Sequence, residues 1–290
     1  ILVGDPQQLP ATIFSVSGRH TKYDRSLFQR LEEAGHPVHL LDTQYRMNPK
    51  ISHFPRTIFY KGHLKDGPNV VNPEYGNPLR RTILTAVQAF QPFTILNFDS
   101  AEERGGGGGG TSLSNSSEAR LAIYLYESLK RISKGASAAT KVAVITPYSQ
   151  QCNLLKRLFS NKLGDDYERY VDIHTVDSFQ GREANIVIFS CVRAAGSTGI
   201  GFLSDVRRMN VALTRAKHFL FVLARCKSIV VNPYWRDLVQ HAQDNGAVVN
   251  IYAGRKNNSE FTPLEELVPG QPKKRKAEET AEAGILATTI

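Results

Sequence analysis

Apolar residues along this chain follow two rhythms. Short, dense runs rich in Val, Ile, Leu and Phe occur at 38–43 (VHLLDT), 93–98 (FTILNF), 141–147 (KVAVITP), 171–176 (VDIHTV), 185–192 (NIVIFSCV), 218–224 (HFLFVLA) and 247–252 (AVVNIY). Several are apolar at nearly every position, the pattern of parallel strands covered on both faces. Between them lie longer stretches at 24–35, 115–134, 148–160, 204–216 and 233–245, whose apolar positions recur every three or four residues, as on one face of a helix. Strand–helix alternation of this kind predicts an α/β domain with a doubly wound parallel sheet.

Two segments break the rhythm. Residues 105–110 are six consecutive glycines. They lack the lysine of a phosphate loop and no strand leads directly into them, so 99–117 reads as a flexible surface insertion. Beyond residue 253, Pro263, Pro269, Gly270 and Pro272 interrupt any period, and 254–290 reads as a disordered basic tail. Within it, KKRK at 273–276 resembles a nuclear-import signal, the alternative being a solvated charge cluster in a cytoplasmic protein.

Composition changes this picture little. The 290 residues are 41% hydrophobic and 22% charged, as in an ordinary globular protein, and no run nears the ~18 apolar residues that span a bilayer. The three cysteines, Cys152, Cys191 and Cys226, are far apart and not at metal-ligand spacing, and Cys191 inside an apolar run reads as a small buried hydrophobe. The net charge of +9 suits a polyanionic partner without requiring one.

Four stretches carry candidate chemistry. GDPQQLPAT (4–12) follows a strand end, where α/β folds bind ligands, and Gln8 can donate to and accept from a terminal phosphate or its attacking water. In LLDTQYRMNPKIS (40–52), Arg46 offers a planar fork to phosphate oxygens and Tyr45 a face for a base; a surface ion pair and core packing are the alternatives. In HTVDSFQGREANIVIFSCVRA (174–194), Gly181 allows close backbone approach, Thr175 can hold a nucleic-acid phosphate and Glu183 can accept from a ribose hydroxyl, while Asp177 serves equally well as a helix cap. In GFLSDVRRMNVALTRAKHFLFVLA (201–224), a helix over 205–216 capped by Ser204 or Asp205 places Arg208, Val211, Ala212 and Arg215 on one face, with Met209, Leu213 and Ala216 turned to the core.

Taken in order, GDPQQLP, QYRMNP, VITPYSQQ (144–151), VDSFQGRE and RRMNVALTRAK resemble five successive motifs of superfamily 1 helicases, in the branch typified by the nonsense-decay helicase and senataxin. They span residues 4–217, and GFLSDVRRMNVALTRAK with the later NPYW leans towards the senataxin type. The resemblance implies a RecA-like fold and a 5′-to-3′ motor driven by ATP and magnesium on single-stranded RNA or DNA. It implies that Gln8 senses the γ-phosphate, that Arg46 and Arg215 are arginine fingers, and that Tyr45, Gly181 and Glu183 line the nucleotide site. Thr146 and Thr175 would hold the strand. It also implies a division into 1–36, a remnant of the first RecA-like domain, and 37–253, the second. The phosphate loop and metal ligands would then lie in a first domain required in cis, leaving this chain inactive alone. Two other readings stay open: a non-catalytic nucleic-acid-binding or interaction module made as a truncated product, and a gene fragment without independent function.

Overall fold

The computed structural model describes residues 2–10, 21, 23, 25–99, 103–105, 112–134, 140–194, 199–252 and 261–268. The helices and strands run in the order α1 (Leu27–Glu33), β1 (Thr43–Gln44), α2 (Pro49–Ile58), β2 (Lys65–Asp66), α3 (Pro68–Val71), α4 (Leu79–Ala86), β3 (Phe93–Phe98), β4 (Arg104–Gly105), β5 (Leu113–Ser114), α5 (Ser116–Ile132), β6 (Val142–Thr146), α6 (Ser149–Leu163), β7 (Val171–Thr175), β8 (Ala184–Ser190), α7 (Val206–Leu213), β9 (Ala216–Ala224), α8 (Cys226–Ile229), α9 (Pro233–Asp244) and β10 (Val248–Ile251). Six strands form one sheet in the order β10-β3-β9-β8-β6-β7, and every pair is parallel.

The dense apolar runs are explained by this sheet. Alternate side chains of β9 enter different cores: Phe219, Phe221 and Leu223 face the layer with α4, α5 and α6, whereas Leu220, Val222 and Ala224 face the layer with α2, α7 and α9. A strand covered on both sides leaves few positions for a polar residue. The expected doubly wound α/β architecture is therefore the observed one.

Helix starts follow local chemistry. Asn48 caps α2 by accepting from the Lys50 amide, with Pro49 in the first turn, where its lacking N–H costs nothing. Asp205 caps α7 by accepting from the amides of Arg207 and Arg208; Ser204 instead donates to the Gly201 carbonyl.

Four expectations need correction. The run 38–43 adds no strand to the main sheet. Leu40 and Leu41 are exposed, and only Thr43–Gln44 pairs, in register with Lys65–Asp66; an apolar run becomes a strand only where a neighbouring edge accepts it. The helix predicted to reach 216 stops at Leu213, because Ala216 is already paired with Ala184 in the sheet. The insertion 99–117 is partly ordered: β4 and β5 form an antiparallel pair, Asn115 is fully buried and α5 starts at Ser116, while 106–111 lie outside the described residues. The domain also runs past 253. Phe261, Leu264 and Leu267 are buried in the same core, with Phe261 against Phe98 and Tyr124; three apolar anchors suffice to dock a segment that composition marks as tail. The basic cluster 273–276 lies outside the described residues.

Glu118, fully buried in the first turn of α5, accepts from the Ser190 hydroxyl (2.7 Å) and the Val192 amide (2.8 Å). Burial raises its pKa to about 7, against the lowering effect of those hydrogen bonds. An acid whose pKa is higher folded than unfolded stabilises the fold fully at low pH and loses that contribution as pH rises through the folded value. Urea unfolding of wild type and Glu118→Gln across pH 4.5–8 is expected to show a wild-type decline over this window that the variant lacks; parallel curves would contradict it.

Candidate functional site

The described residues line a cavity of about 600 Å³, open on one side, within the ~300–1,000 Å³ typical of small-ligand pockets. Stretches far apart in sequence form it: Asp5 and Gln8 come from the N-terminal segment, Arg46 from the turn before α2, and Gly181, Arg207 and Arg215 from the second half of the chain.

Arg215 is the most constrained of these. It lies just beyond α7, and its guanidinium folds back so that Nε donates to the Val211 carbonyl (3.0 Å) and Nη2 to the Thr214 hydroxyl (2.9 Å) and to Gln8 Oε1 (3.3 Å). It is 3% exposed. Burial, with the Arg46 charge nearby, lowers its pKa to about 10, so it remains a cation at neutral pH. A buried cation with no carboxylate among its hydrogen-bond acceptors, aimed into a cavity, favours an anionic ligand.

Arg46 reaches the same cavity from the turn before α2. Gln44 shapes that turn, its Oε1 accepting from the amides of Arg46 (2.9 Å) and Met47 (2.7 Å). The guanidinium donates through Nε to Glu183 (2.6 Å) and through Nη1 to the Thr214 carbonyl (3.1 Å), so both arginines are tied to the end of α7. Lys217 Nζ meets the other Glu183 oxygen at 2.6 Å, and the two cations hold that carboxylate below its usual pKa. The ion pair weighed for Arg46 exists, but its partner is a second site residue rather than a stray surface acid.

Gly181 stands at φ +79°, a left-handed conformation that would strain any side chain, and no atom lies within 4 Å of where a Cβ would sit. The backbone is therefore open to the cavity here. Tyr45 is 61% exposed, so it is not core; the Cδ1–Cε1 edge of its ring lies against Gly67, whose absent Cβ would fall 2.5 Å from the ring.

The residues expected to contact a strand separate. Thr175, at the C-terminal end of the edge strand β7, is half-buried; its hydroxyl lies 2.9 Å from that of exposed Ser178. Ser178 lies in the single turn Asp177–Phe179, which ends two residues before Gly181 at the cavity. Thr146 is fully buried, its hydroxyl accepting weakly from the Tyr148 amide. Asp177 caps no helix and pairs with Arg208 instead (3.1 Å). Arg208 also meets Asp205 (3.0 Å) and lies over the Phe202 ring, so the two arginines expected on one helical face diverge. The helix ends before Arg215, and Val211 and Ala212 between them are core.

Nothing in the sequence singled out Asp5, Tyr60, Lys217 or Asn210. Lys217 sits two residues from Arg215 and was within reach of the motif; Tyr60 and Asn210 gave no signal, because their importance arises only from tertiary contact. Among the described residues, no three His, Cys, Asp or Glu side chains gather as metal ligands, and no helix is long and apolar enough to cross a membrane.

A family model described as an AAA domain matches residues 23–227. The chain is 41% identical over 273 residues to a probable helicase of Dictyostelium discoideum, covering 93% of this chain and 26% of that protein. It is 37% identical over 256 residues to helicase SEN1 of Saccharomyces cerevisiae, covering 88% of this chain and 11% of that protein. To the ATP-dependent helicase NAM7 of the same yeast it is 34% identical over 281 residues, covering 94% and 27%. The chain thus spans about a quarter or less of the length of these relatives.

Proposed function

Because this chain belongs to the AAA-domain family of superfamily 1 helicases, in the branch that includes SEN1 and NAM7, we propose that it supplies the second RecA-like half of an ATP-driven helicase. Residues 37–253, with the strap at 261–267, are that domain, and residues 1–36 belong to the first. The observation that carries this reading is the convergence of Arg46 and Arg215 on a cavity shared with Gln8.

In this reading Arg46 and Arg215 are arginine fingers. Phosphoryl transfer spreads negative charge over the transferred group, and fixed guanidinium groups stabilise that charge. Gln8, its Oε1 facing Arg215, senses the terminal phosphate by accepting from the water that attacks it. Gly181 lets the backbone approach the nucleotide, Tyr45 offers a face to the base, and Glu183, exchanging its arginine for the ligand, accepts from the ribose. The groups lining the cavity suit a triphosphate: the guanidinium groups of Arg46, Arg207 and Arg215 and the glycine turn at Gly181. Magnesium, which would neutralise charge on the phosphates, is assigned to carboxylates of the first domain, and the sequence contains no G-x-x-x-x-G-K-[ST] phosphate loop. Thr175 and Ser178 hold single-stranded RNA or DNA by its backbone, independently of base sequence. Buried Thr146 shapes the turn behind them. Closure of the two domains on the nucleotide then moves the strand 5′ to 3′. Import through 273–276 would place the protein in the nucleus.

The test compares two purified proteins. Residues 1–290 alone are expected to release no phosphate from ATP, with or without single-stranded RNA or DNA. A longer protein that adds an upstream phosphate loop is expected to turn ATP over, faster with a strand present. Steady phosphate release by the 290-residue chain, or none by the longer one, would contradict the assignment.

A further inference from the structure

The turn carrying Gln8 is fastened to the second domain by contacts the nucleotide site does not need. Asp5 accepts from three donors: the Gln7 amide (2.9 Å), Gln8 Nε2 (2.9 Å) and the Tyr60 hydroxyl (2.5 Å). Tyr60 follows the end of α2 and is half-buried. Asn210 of α7, fully buried, donates through Nδ2 to the Gln7 carbonyl (2.9 Å) and to the Tyr60 oxygen (3.1 Å).

The chemistry fixes every orientation. A carboxylate only accepts, so Gln8 must turn its NH2 to Asp5 and its oxygen outward, towards Arg215. The Gln7 carbonyl also only accepts, so Asn210 must present its NH2 there, leaving Oδ1 buried without a partner among the described residues. A buried acceptor left idle costs stability, and it is tolerated here in exchange for holding the turn. The Tyr60 hydroxyl, its pKa pushed up to about 12 by burial and by Asp5, stays a donor at all ordinary pH values.

We propose that Tyr60 and Asn210 are positioning residues that latch the Asp5–Gln8 turn onto the second domain and thereby set the direction in which the Gln8 carboxamide faces Arg215. The inference rests on the nucleotide-site reading for its effect on turnover, but the latch itself is a property of this chain. It gives the sensor on one segment a mechanical tie to the helix that leads into Arg215, so the sensor and the finger shift together.

Two measurements test it. In residues 1–290, hydrogen exchange of the Gln8 amide, which donates to the Asp5 carbonyl (3.1 Å), is expected to quicken by ~10-fold in Tyr60→Phe, while amides of β8 and β9 keep wild-type rates. In the longer, ATP-hydrolysing protein, Tyr60→Phe and Asn210→Asp are each expected to lower kcat by ~10-fold with KM for ATP within twofold. Added to Gln8→Ala, Tyr60→Phe is expected to cost nothing further, because it acts through Gln8. Unchanged Gln8 exchange, unchanged kcat, or losses that multiply in the double variant would overturn the latch. If Gln8→Ala and Arg215→Ala themselves leave turnover intact, the nucleotide-site reading fails, and the exchange experiment still decides whether the latch exists.

Discussion

Replacing Arg215 with alanine in the longer protein is expected to lower strand-stimulated ATP turnover by ~1,000-fold or more, while a non-hydrolysable ATP analogue binds within about threefold of wild type. The asymmetry follows from where the charge acts. The guanidinium is held by the Val211 carbonyl, the Thr214 hydroxyl and Gln8, so its position is set before any ligand arrives and needs little reorganisation as charge develops. Arg215→Lys is expected to recover little. An ammonium cannot reproduce a fork that donates simultaneously to a backbone carbonyl, a hydroxyl and a carboxamide. Because the side chain is buried, thermal unfolding of each variant is measured alongside, and a variant that keeps its melting transition and its turnover removes Arg215 from the finger role.

Arg46→Ala is expected to have the second largest effect, a fall in turnover of ~100-fold or more. Arg46 differs from Arg215 in being partly exposed, with 32% of its side chain open to solvent, and in being engaged by Glu183. A ligand that recruits Arg46 must draw it from that carboxylate, and Lys217 remains to neutralise Glu183 when it leaves. Removing Arg46 leaves Glu183 with one cation, so weaker analogue binding is expected as well, unlike Arg215→Ala. The double variant is expected to be scarcely worse than Arg215→Ala alone, since residues acting on one transition state do not contribute independently. Full turnover by Arg46→Ala, or analogue affinity unchanged beside a normal kcat, would assign the residue to the ion pair only.

The sequence carried the sheet well and the site unevenly, for physical reasons. Runs such as NIVIFSCV and HFLFVLA are legible because a strand buried on both faces is apolar at most positions. VHLLDT has similar composition, yet it lies outside the main sheet, since nothing in a run itself says whether a neighbouring strand exists. α2 and α4 escaped because Pro55 sits inside one and the other spans only eight residues. Of the residues that gather at the cavity, Gln8, Arg46, Gly181 and Arg215 stood out in the sequence by residue type and motif order. The Arg208–Arg215 face was misread because helical spacing was extended past a helix that ends at Leu213. Asp177 found a salt bridge where the sequence offered a helix cap or a ligand contact. Tyr60 and Asn210 were invisible, being 150 residues apart in sequence and brought into hydrogen-bonding contact only by the fold.

The most direct test of the central claim, that two guanidinium groups on this domain serve one triphosphate, is a structure of the longer protein with a bound non-hydrolysable ATP analogue. Both Arg46 and Arg215 are expected within hydrogen-bonding distance, ~3 Å, of γ-phosphate oxygens, with Arg46 released from Glu183. Finding both side chains turned from the terminal phosphate, and Arg46 still on Glu183, would contradict the account.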